Sequence, residues 1–375
     1  MADLKTIEDL TNAFGPSGFE KEVVKAVQKH CEGLNLRNDA MYNVYATMPD
    51  AKGNRPVFML DAHTDECGFM VQNVEDNGLL SIITLGGFHM TSLPAHSVIV
   101  RNSKGEKIKG IITSKPVHFL TAAQKADNSL TIEELKVDVG ASSRQEIEED
   151  YGIHVGDPIM PDVTFSYDEK HGICSGKAFD NRLGCVCIIE TMKALMKETE
   201  SLAVDVVGAF ASQEEVGMRG ATVTAQQVKP DLAIVFEGSP ADDFYYRTGV
   251  AQGCLKKGVQ IRHMDNSYVA NDAFMAYAHE IADKYGIKCQ DAVRRGGSTN
   301  AGKIHLTHQA VPVLVLGIPS RYVHTHYNFC AKEDIESTIK MAVEVIRGLN
   351  VSATLCVRMY YNADYGTTKR QNIFS

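Results

Sequence analysis

Residues 57–65 read VFMLDAHTD, so a short apolar run leads directly into carboxylates and a histidine. Four consecutive apolar residues, Val57 to Leu60, are typical of a buried strand. In open α/β sheets, sites form at the carboxyl ends of the strands. The stretch therefore predicts one strand of a buried sheet with polar side chains, among them His63 and Asp65, at its end.

Similar apolar runs recur downstream, in alternation with helical periodicity. From about residue 164 onward, strand-like runs alternate with segments whose apolar residues repeat every three or four positions. The predicted strands are 204–210, 232–236 and 311–318, and the predicted helices are 3–14, 19–33, 181–198, 219–228, 270–285 and 332–349. Such alternation predicts an α/β domain in which helices cover both faces of a sheet.

The segment between residues 69 and 163 has a different pattern. It consists of short alternating runs, GFMVQNV, LLSIITL, SVIVRN, KIKGIITS and LKVDVG, separated by turn residues. Residues 76–78 (DNG) and 102–105 (NSKG) are hairpin signals. We therefore predict a discontinuous α/β domain, residues 1–68 and 164–375, with a β-rich domain, residues 69–163, inserted after its first buried strand.

Composition excludes several classes of protein. The 375 residues carry 38 Lys+Arg and 47 Asp+Glu, a formal net charge of −9, without a basic run, which argues against nucleic acid as a partner. No apolar stretch approaches the roughly 18 residues that span a bilayer, and the first ten residues lack a secretion signal pattern. Nine cysteines without a CxxC motif fit free thiols better than disulfides. We predict a cytoplasmic protein with no membrane partner.

Polar residues follow the predicted strands of the α/β domain. The candidates are His63, Asp65, Glu214, Glu215, Glu237 and His324, and Asp180 immediately precedes a helix. Each has an ordinary alternative, because an acidic pair is commonly a solvated loop and an Asp before a helix is commonly an N-cap. Independent surface residues would scatter among helices and loops, whereas these recur after strands. Two imidazoles with several carboxylates and no thiol indicate a site for Zn²⁺, Co²⁺ or Mn²⁺.

The number of ligands suits two metal ions, which can share a carboxylate when they lie roughly 3.5–4 Å apart. If Asp180 is the bridge, His63 and Glu237 complete the ligands of one metal. Glu215 and His324 then complete those of the other. Each metal has three protein ligands in this arrangement, and room remains for a bridging water.

Three further residues have candidate roles around this metal pair. Glu214, beside the bridging water, is the candidate general base, which would then act as an acid toward the leaving amine. Asp65 can accept the other ring N–H of His63 and fix its tautomer. His326 lies two residues from His324 and competes with it for the same role. No nucleophile elbow, P-loop, dinucleotide fingerprint or HExxH motif is present. The sequence therefore has no motif that favours an α/β-hydrolase, a nucleotide-binding protein or an HExxH metalloprotease.

These segments resemble the M42 family of cytosolic metalloaminopeptidases, which includes the tetrahedral and glutamyl aminopeptidases. The resemblance covers nearly the whole chain and rests on 61–68 (DAHTDECG), 176–182 (GKAFDNR), 213–221 (QEEVGMRGA), 296–302 (GGSTNAG) and 321–324 (RYVH). It implies an α/β catalytic domain, with a mixed sheet flanked by helices. It also implies an inserted β-barrel-like domain through which a homo-oligomer assembles, from a dimer up to a dodecamer.

Site roles follow from the same resemblance. It assigns Glu214 as the catalytic base and Asp65 as the carboxylate that supports the first histidine. It assigns two divalent ions per subunit, Zn²⁺ first with Co²⁺ or Mn²⁺ as alternatives, to the matching positions His63, Asp180, Glu215, Glu237 and His324. The expected activity is that of a metalloaminopeptidase that removes N-terminal residues from short peptides.

The sequence departs from the family pattern at two positions. Glu237 stands where most members have Asp, and Asn300, which we expect near an end of the substrate, stands where an acidic residue is common. These departures leave open a deacylase or carboxypeptidase-type amidohydrolase on the same metal pair. A non-catalytic metal-binding scaffold is a separate alternative, and the intact Glu214 argues against it. Lys256 and Lys257 are candidates for favouring acidic side chains, with solvated surface charge as the ordinary alternative.

Overall fold

A computed structural model describes residues 2–122, 129–247, 249–308 and 310–349. They form an eleven-stranded mixed sheet flanked by helices, and a closed barrel of six strands. The predicted fold class is therefore confirmed. The boundaries of the two domains stay a prediction, and residues 350–375, which it assigns to the α/β domain, lie outside the described residues.

The large sheet has a parallel centre. Its spatial order is β1 (Asn35–Asn38), β2 (Val44–Thr47), β12 (Asp205–Ala211), β3 (Val57–His63), β13 (Leu232–Pro240), β16 (Val313–Arg321), β17 (Asn328–Ala331), β11 (Ile173–Gly176) and β10 (Ser166–Asp168). Off this path, β14 (Val259–Met264) pairs with β16 and with β15 (Cys289–Val293). Because β12, β3, β13 and β16 are parallel neighbours, their carboxyl ends meet at one edge of the sheet.

Helices pack against the sheet, and one of them lies next to the strands that carry the site. The α-helices of the described residues are α1 (Leu4–Asn12), α2 (Lys21–His30), α3 (Phe179–Leu195), α4 (Arg219–Val228), α5 (Asp272–Tyr285), α6 (Ala301–Ile304) and α7 (Lys332–Gly348). The Asp3 side chain caps α1 by accepting a hydrogen bond from the backbone nitrogen of Thr6. α3 is buried along most of its length and packs against β3 and β13. Each buried Leu or Val contributes about 1.5–3 kcal/mol, so this helix and its first turn are held firmly.

The barrel is formed by strands that follow β3 in the chain. Its closed order is β4 (Gly68–Val74), β5 (Leu80–Leu85), β8 (Lys136–Asp138), β7 (Lys107–Ile112), β6 (Ser97–Arg101) and β9 (Pro158–Pro161). Its interior is apolar, with Phe69, Val98 and Ile159 fully buried. The first hairpin turns at Gly78, whose φ of +85° favours glycine, as the DNG signal predicts.

The strand predicted at 232–236 is longer than its apolar run. β13 continues through Glu237 to Pro240, because β16 pairs with it in parallel as far as Pro240 opposite Ser320. Sequence periodicity misses this extension because polar and small residues occupy it, although the neighbouring strand satisfies its backbone groups. Within the described ranges, no helix combines the length and the apolar character needed to cross a bilayer.

Candidate active site

The predicted site residues meet at the carboxyl edge of the parallel strands. His63 ends β3, the pair Glu214–Glu215 follows β12, and Glu237 lies in β13. Asp180 lies in the first turn of α3, and His324 lies in the loop between β16 and β17. An open cavity is lined by five of the predicted residues: Asp180, Glu214, Glu215, Glu237 and His324. Of the other two, His63 lies beneath the cavity against Asp180, and Asp65 lies against His63.

Asp180 lies between the two histidines. Its Oδ1 is 3.0 Å from Nε2 of His63, and its Oδ2 is 3.4 Å from Nε2 of His324. His324 Nε2 is also 3.5 Å from Oε2 of Glu215. The two oxygens of one carboxylate therefore face two different imidazoles, as a bridging ligand requires.

Two groups of potential metal ligands share this location. His63, Asp180 and Glu237 offer one ligand atom each, all within 4.8 Å of one another. Glu215 and His324 form a second such group with Cys67, a residue that the sequence reasoning did not single out. Burial raises the pKa of the Cys67 thiol well above its usual range, and the negative charge of Glu215 adds to this.

A glycine allows Asp180 to approach β13. A Cβ on Gly238 would lie 2.5 Å from the Cα of Asp180, closer than side chains tolerate. The backbone of β13 therefore passes directly beneath the first turn of α3, next to Glu237. The position after Glu237 must stay small for Asp180 and Glu237 to share one site.

Asp65 organises both sides of the site. Its Oδ1 lies 3.4 Å from Nδ1 of His63, the predicted supporting contact. The same carboxylate accepts hydrogen bonds from the backbone nitrogens of Glu214 (2.9 Å) and Glu215 (3.1 Å), and from the hydroxyl of Ser17 (2.6 Å). Sequence reasoning missed these three contacts, because nothing in the spacing relates the loop after β12 or the segment near residue 17 to Asp65.

A buried ion-pair cluster connects the segment after β3 with the start of α3. Glu66 accepts hydrogen bonds from Lys177 at 2.7 Å and from Arg182 at 3.1 Å, and all three side chains are buried. Burial lowers the pKa of the Lys177 ammonium to about 8, and the charge of Glu66 opposes that shift. Because Lys177 and Arg182 flank Asp180, the cluster fixes the start of α3 against the end of β3. These residues lie inside the quoted motifs, but their pairing was not predicted.

The electrostatics of the site favour added positive charge. Burial raises the pKa of Glu214 to about 8 and that of Glu215 to about 7, with neighbouring carboxylates adding to the effect. Burial likewise raises the pKa of Glu237 well above its usual range. Burial opposes protonation of His324, but its contacts with Asp180 and Glu215 raise its pKa to about 9. Four crowded carboxylates with two imidazoles are a donor set that suits divalent cations.

Other lining residues give the cavity a cationic wall. Arg262 and Arg294 line it together with Ser298. Arg262 donates to the Ser239 hydroxyl at 2.6 Å, and Arg294 donates to Asp242 at 2.7 Å. Lys256 and Lys257, the predicted cations, do not line this cavity and are exposed. The two lysines precede β14, whereas Arg262 lies within it, so their exposure fits the alternative of solvated surface charge.

The structure corrects the expectation for Asn300 and bears on the open alternative of His326. Asn300 is 1% exposed and donates a hydrogen bond to Asp61 at 2.7 Å, and it is not among the residues that line the cavity. His326 is buried against His96, with ring centroids 4.5 Å apart, and it belongs to neither ligand group of the site. Burial lowers the pKa of His326 to about 3, and the nearby His96 adds to this, which keeps the ring neutral.

Comparison with known proteins gives consistent matches over nearly the whole chain. The sequence model of the family described as M42 glutamyl aminopeptidase matches residues 43–341. The putative aminopeptidase FrvX of Escherichia coli strain K12 is 30% identical over 94% of this chain and 96% of its own. The solved TET aminopeptidase of a marine sediment Thaumarchaeota archaeon is 33% identical, with a TM-score of 0.89 over 94% of this chain and 99% of its own. The TET1 peptidase of Pyrococcus horikoshii, reported to assemble into a tetrahedron or a large octahedral shell, is 25% identical, with a TM-score of 0.79 over 92% of this chain and 99% of its own.

Proposed function

Because this chain belongs to the M42 glutamyl aminopeptidase family, we propose that it removes N-terminal residues from short peptides with a pair of divalent metal ions. The observation that carries the proposal is the position of Asp180 between His63 and His324, at 3.0 Å and 3.4 Å. One carboxylate that faces two imidazoles, with further carboxylates around it, suits two adjacent cations.

The ligands divide between two positions. His63, Asp180 and Glu237 would hold one metal, and Asp180, Glu215 and His324 would hold the other. Imidazole and carboxylate ligands without thiolate suit Zn²⁺, with Co²⁺ or Mn²⁺ as alternatives. When bound, such ions polarise a scissile carbonyl and lower the pKa of water. Asp65 would orient His63 through its second ring nitrogen.

Glu214 has the position of a general base. Its Oε2 lies 3.9 Å from Nε2 of His63, and its side chain lines the cavity. A carboxylate beside the reacting centre can take a proton from the attacking water and return it to the leaving amine. Glu237, which lies in β13, lines the same cavity.

Arg262 and Arg294 support a preference for acidic side chains at the cleaved residue. Both line the cavity that Glu214 and His324 border. The guanidinium of Arg262 already contacts Ser239 and Asp265, and that of Arg294 already contacts Asp242. A glutamate or aspartate side chain would therefore meet their remaining N–H donors, and it fits this wall better than a lysine side chain.

Assembly through the barrel would restrict access to the site. The barrel is a closed unit, and Ile111 and Val155 are exposed on it, at 55% and 65%. The similar TET1 peptidase of Pyrococcus horikoshii is reported to assemble into a tetrahedron or a large octahedral shell, which supports assembly of this chain as well. We therefore propose a cytoplasmic homo-oligomer, a dimer that builds to a dodecamer, which admits short or unfolded peptides. Light scattering of the purified protein measures this directly.

Replacement of the base tests the catalytic proposal. Glu214→Gln keeps the size of the side chain and removes its proton-accepting charge, so the metal ligands stay in place. We expect hydrolysis to fall by about 10²–10⁴-fold while the metal content of the protein is unchanged. Unchanged hydrolysis in this variant would exclude Glu214 as the base.

A further inference from the structure

A second cluster of histidines and a carboxylate lies on the surface of the α/β domain. Nε2 of His263 is 2.6 Å from Oδ1 of Asp291, and Nε2 of His279 is 3.1 Å from the same oxygen. One ligand atom from each residue lies within 4.8 Å of the other two. The side chains are accessible, at 39%, 37% and 55% exposure for His263, His279 and Asp291.

Three separate elements bring these side chains together. His263 lies in β14, Asp291 lies in β15 and His279 lies in α5. The β14–β15 register shifts between Arg262 and Met264, so His263 is the extra residue of a bulge. Bulges re-aim a side chain relative to the regular pleat, and this one directs His263 toward Asp291.

The scaffold around the cluster is firm. The carbonyl of His263 accepts a hydrogen bond from the backbone nitrogen of Ala270 at 2.9 Å, which closes the loop after β14. α5 is anchored by the buried side chains of Phe274, Ala278 and Ala282, on either side of His279. The three ligand side chains therefore start from backbone positions that need little rearrangement.

We propose that His263, His279 and Asp291 form a peripheral site for one divalent transition-metal ion such as Zn²⁺. Metal–ligand distances of about 2.0–2.2 Å in a tetrahedral site place ligand atoms roughly 3.3 Å apart. The separations of 2.6 Å and 3.1 Å reach that value by small rotations of the exposed side chains. Two imidazoles and one carboxylate leave the fourth position to water, as in other zinc sites with three protein ligands.

Neighbouring negative charge supports cation binding. Asp283 is one helical turn after His279 in α5, so a second carboxylate lies on the same face of this helix.

A bound ion would join β14, β15 and α5 at the outer face of the domain. Arg262 immediately precedes His263 in β14, and Arg294 immediately follows β15, so the two arginines of the cavity wall adjoin the proposed ligands in the chain. The peripheral metal is expected to stabilise this strand pair, and its binding does not depend on peptide hydrolysis at the other site.

The difference in zinc content between the wild type and variants of the cluster tests the proposal. The whole protein is dialysed against micromolar free Zn²⁺, and zinc per chain is measured by mass spectrometry for the wild type, His279→Ala and Asp291→Asn. A matched control is His171→Ala, which removes an exposed imidazole 2.6 Å from Asp168 at a place with a single histidine. We expect each cluster variant to lose about one zinc per chain, with hydrolysis retained, and the control to lose none.

The thermal response gives a second readout that does not use activity. Added Zn²⁺ raises the melting temperature of any protein that binds it only when folded. The wild type and His171→Ala should show a larger rise than His279→Ala, and circular dichroism checks that each variant is folded. Equal zinc content and equal thermal response in the wild type and both cluster variants would overturn the proposal, as would an equal loss of zinc in the control.

Discussion

The carboxylate of Asp65 lies 2.9 Å from the backbone nitrogen of Glu214 and holds it by a hydrogen bond. Asp65, which follows β3, therefore positions the proposed base Glu214, which follows the neighbouring strand β12. Since its Oδ1 also lies 3.4 Å from His63, Asp65 relates the proposed base to a proposed metal ligand.

Asp65→Asn should reduce hydrolysis by about 10- to 100-fold, the usual effect of losing a group that orients a metal ligand. The amide cannot accept all the hydrogen bonds that the carboxylate accepts, and it places an N–H₂ group against a backbone N–H. Steady-state kinetics with metal analysis measure the effect. Ser17→Ala, which removes one of the donors to Asp65, serves as the control and should cost less. Full activity in Asp65→Asn would show that the loop of Glu214 is held by other contacts.

Glu66→Gln should destabilise the protein by about 3–5 kcal/mol, because it leaves Lys177 and Arg182 as buried cations without a counter-charge. Urea unfolding gives the free energy. Glu75→Gln is the matched control, since its ion pair with Lys136 is more exposed and should contribute no more than about 1 kcal/mol. The double variant with Lys177→Met should recover part of the loss, and no recovery would mean that packing dominates.

Stability at low pH should depend on Asp205. Burial opposes its ionisation, but hydrogen bonds from Arg55 and from the backbone nitrogen of Lys52 hold its pKa below 3.8. A carboxyl group whose pKa is lower in the folded state contributes stability above its unfolded pKa. That contribution is lost as the pH falls through the folded-state pKa.

Asp205→Asn should therefore reduce the free energy of unfolding at pH 7 by about 1.5–3 kcal/mol, the contribution of hydrogen bonds to a charged group. The difference from the wild type should shrink as the pH falls below 3.8, and urea unfolding between pH 7 and pH 3 follows it. Asp76→Asn, at a side chain that is 97% exposed, should show little difference at any pH. A constant difference for Asp205→Asn would contradict the electrostatic explanation.

Arg294→Met should lower kcat/KM for peptides that begin with glutamate relative to those that begin with leucine. A lost charge contact of about 1 kcal/mol at a partly exposed position corresponds to roughly a fivefold change in that ratio. Lys257→Met is the control, because Lys257 does not line the cavity and should leave the ratio unchanged. A change in both variants, or in the control alone, would argue against a cationic wall at Arg294.

The sequence predicts well those features that local periodicity determines. The apolar runs place strands β3, β12, β13 and β16 correctly, and polar residues after buried strands identify the edge where His63, Glu215 and His324 meet. The change of pattern after residue 68 predicts a separate β-rich unit, and the described barrel strands lie between residues 68 and 161. The predicted resemblance to the M42 family is confirmed by the match over residues 43–341.

Contacts between distant segments could not be read from the sequence. The burial of Asn300 against Asp61 depends on how the start of α6 packs against β3. The contact of His326 with His96 joins the α/β domain to the barrel. Neither relationship has a spacing signal. The surface cluster could not be predicted for the same reason. His263 and His279 have no spacing signal in the sequence, and only the fold brings both of them to Asp291 in β15.

Hydrolysis of matched peptides with free or acetylated N-termini tests the central claim most directly. The protein is assayed as purified, after chelation, and after Zn²⁺, Co²⁺ or Mn²⁺ is restored. We expect cleavage of the free-amine peptides alone, lost with the chelator and recovered with metal. Cleavage confined to the acetylated peptides would contradict the account and indicate a deacylase. No metal-dependent cleavage of either set would contradict it too, and would indicate a non-catalytic metal-binding scaffold.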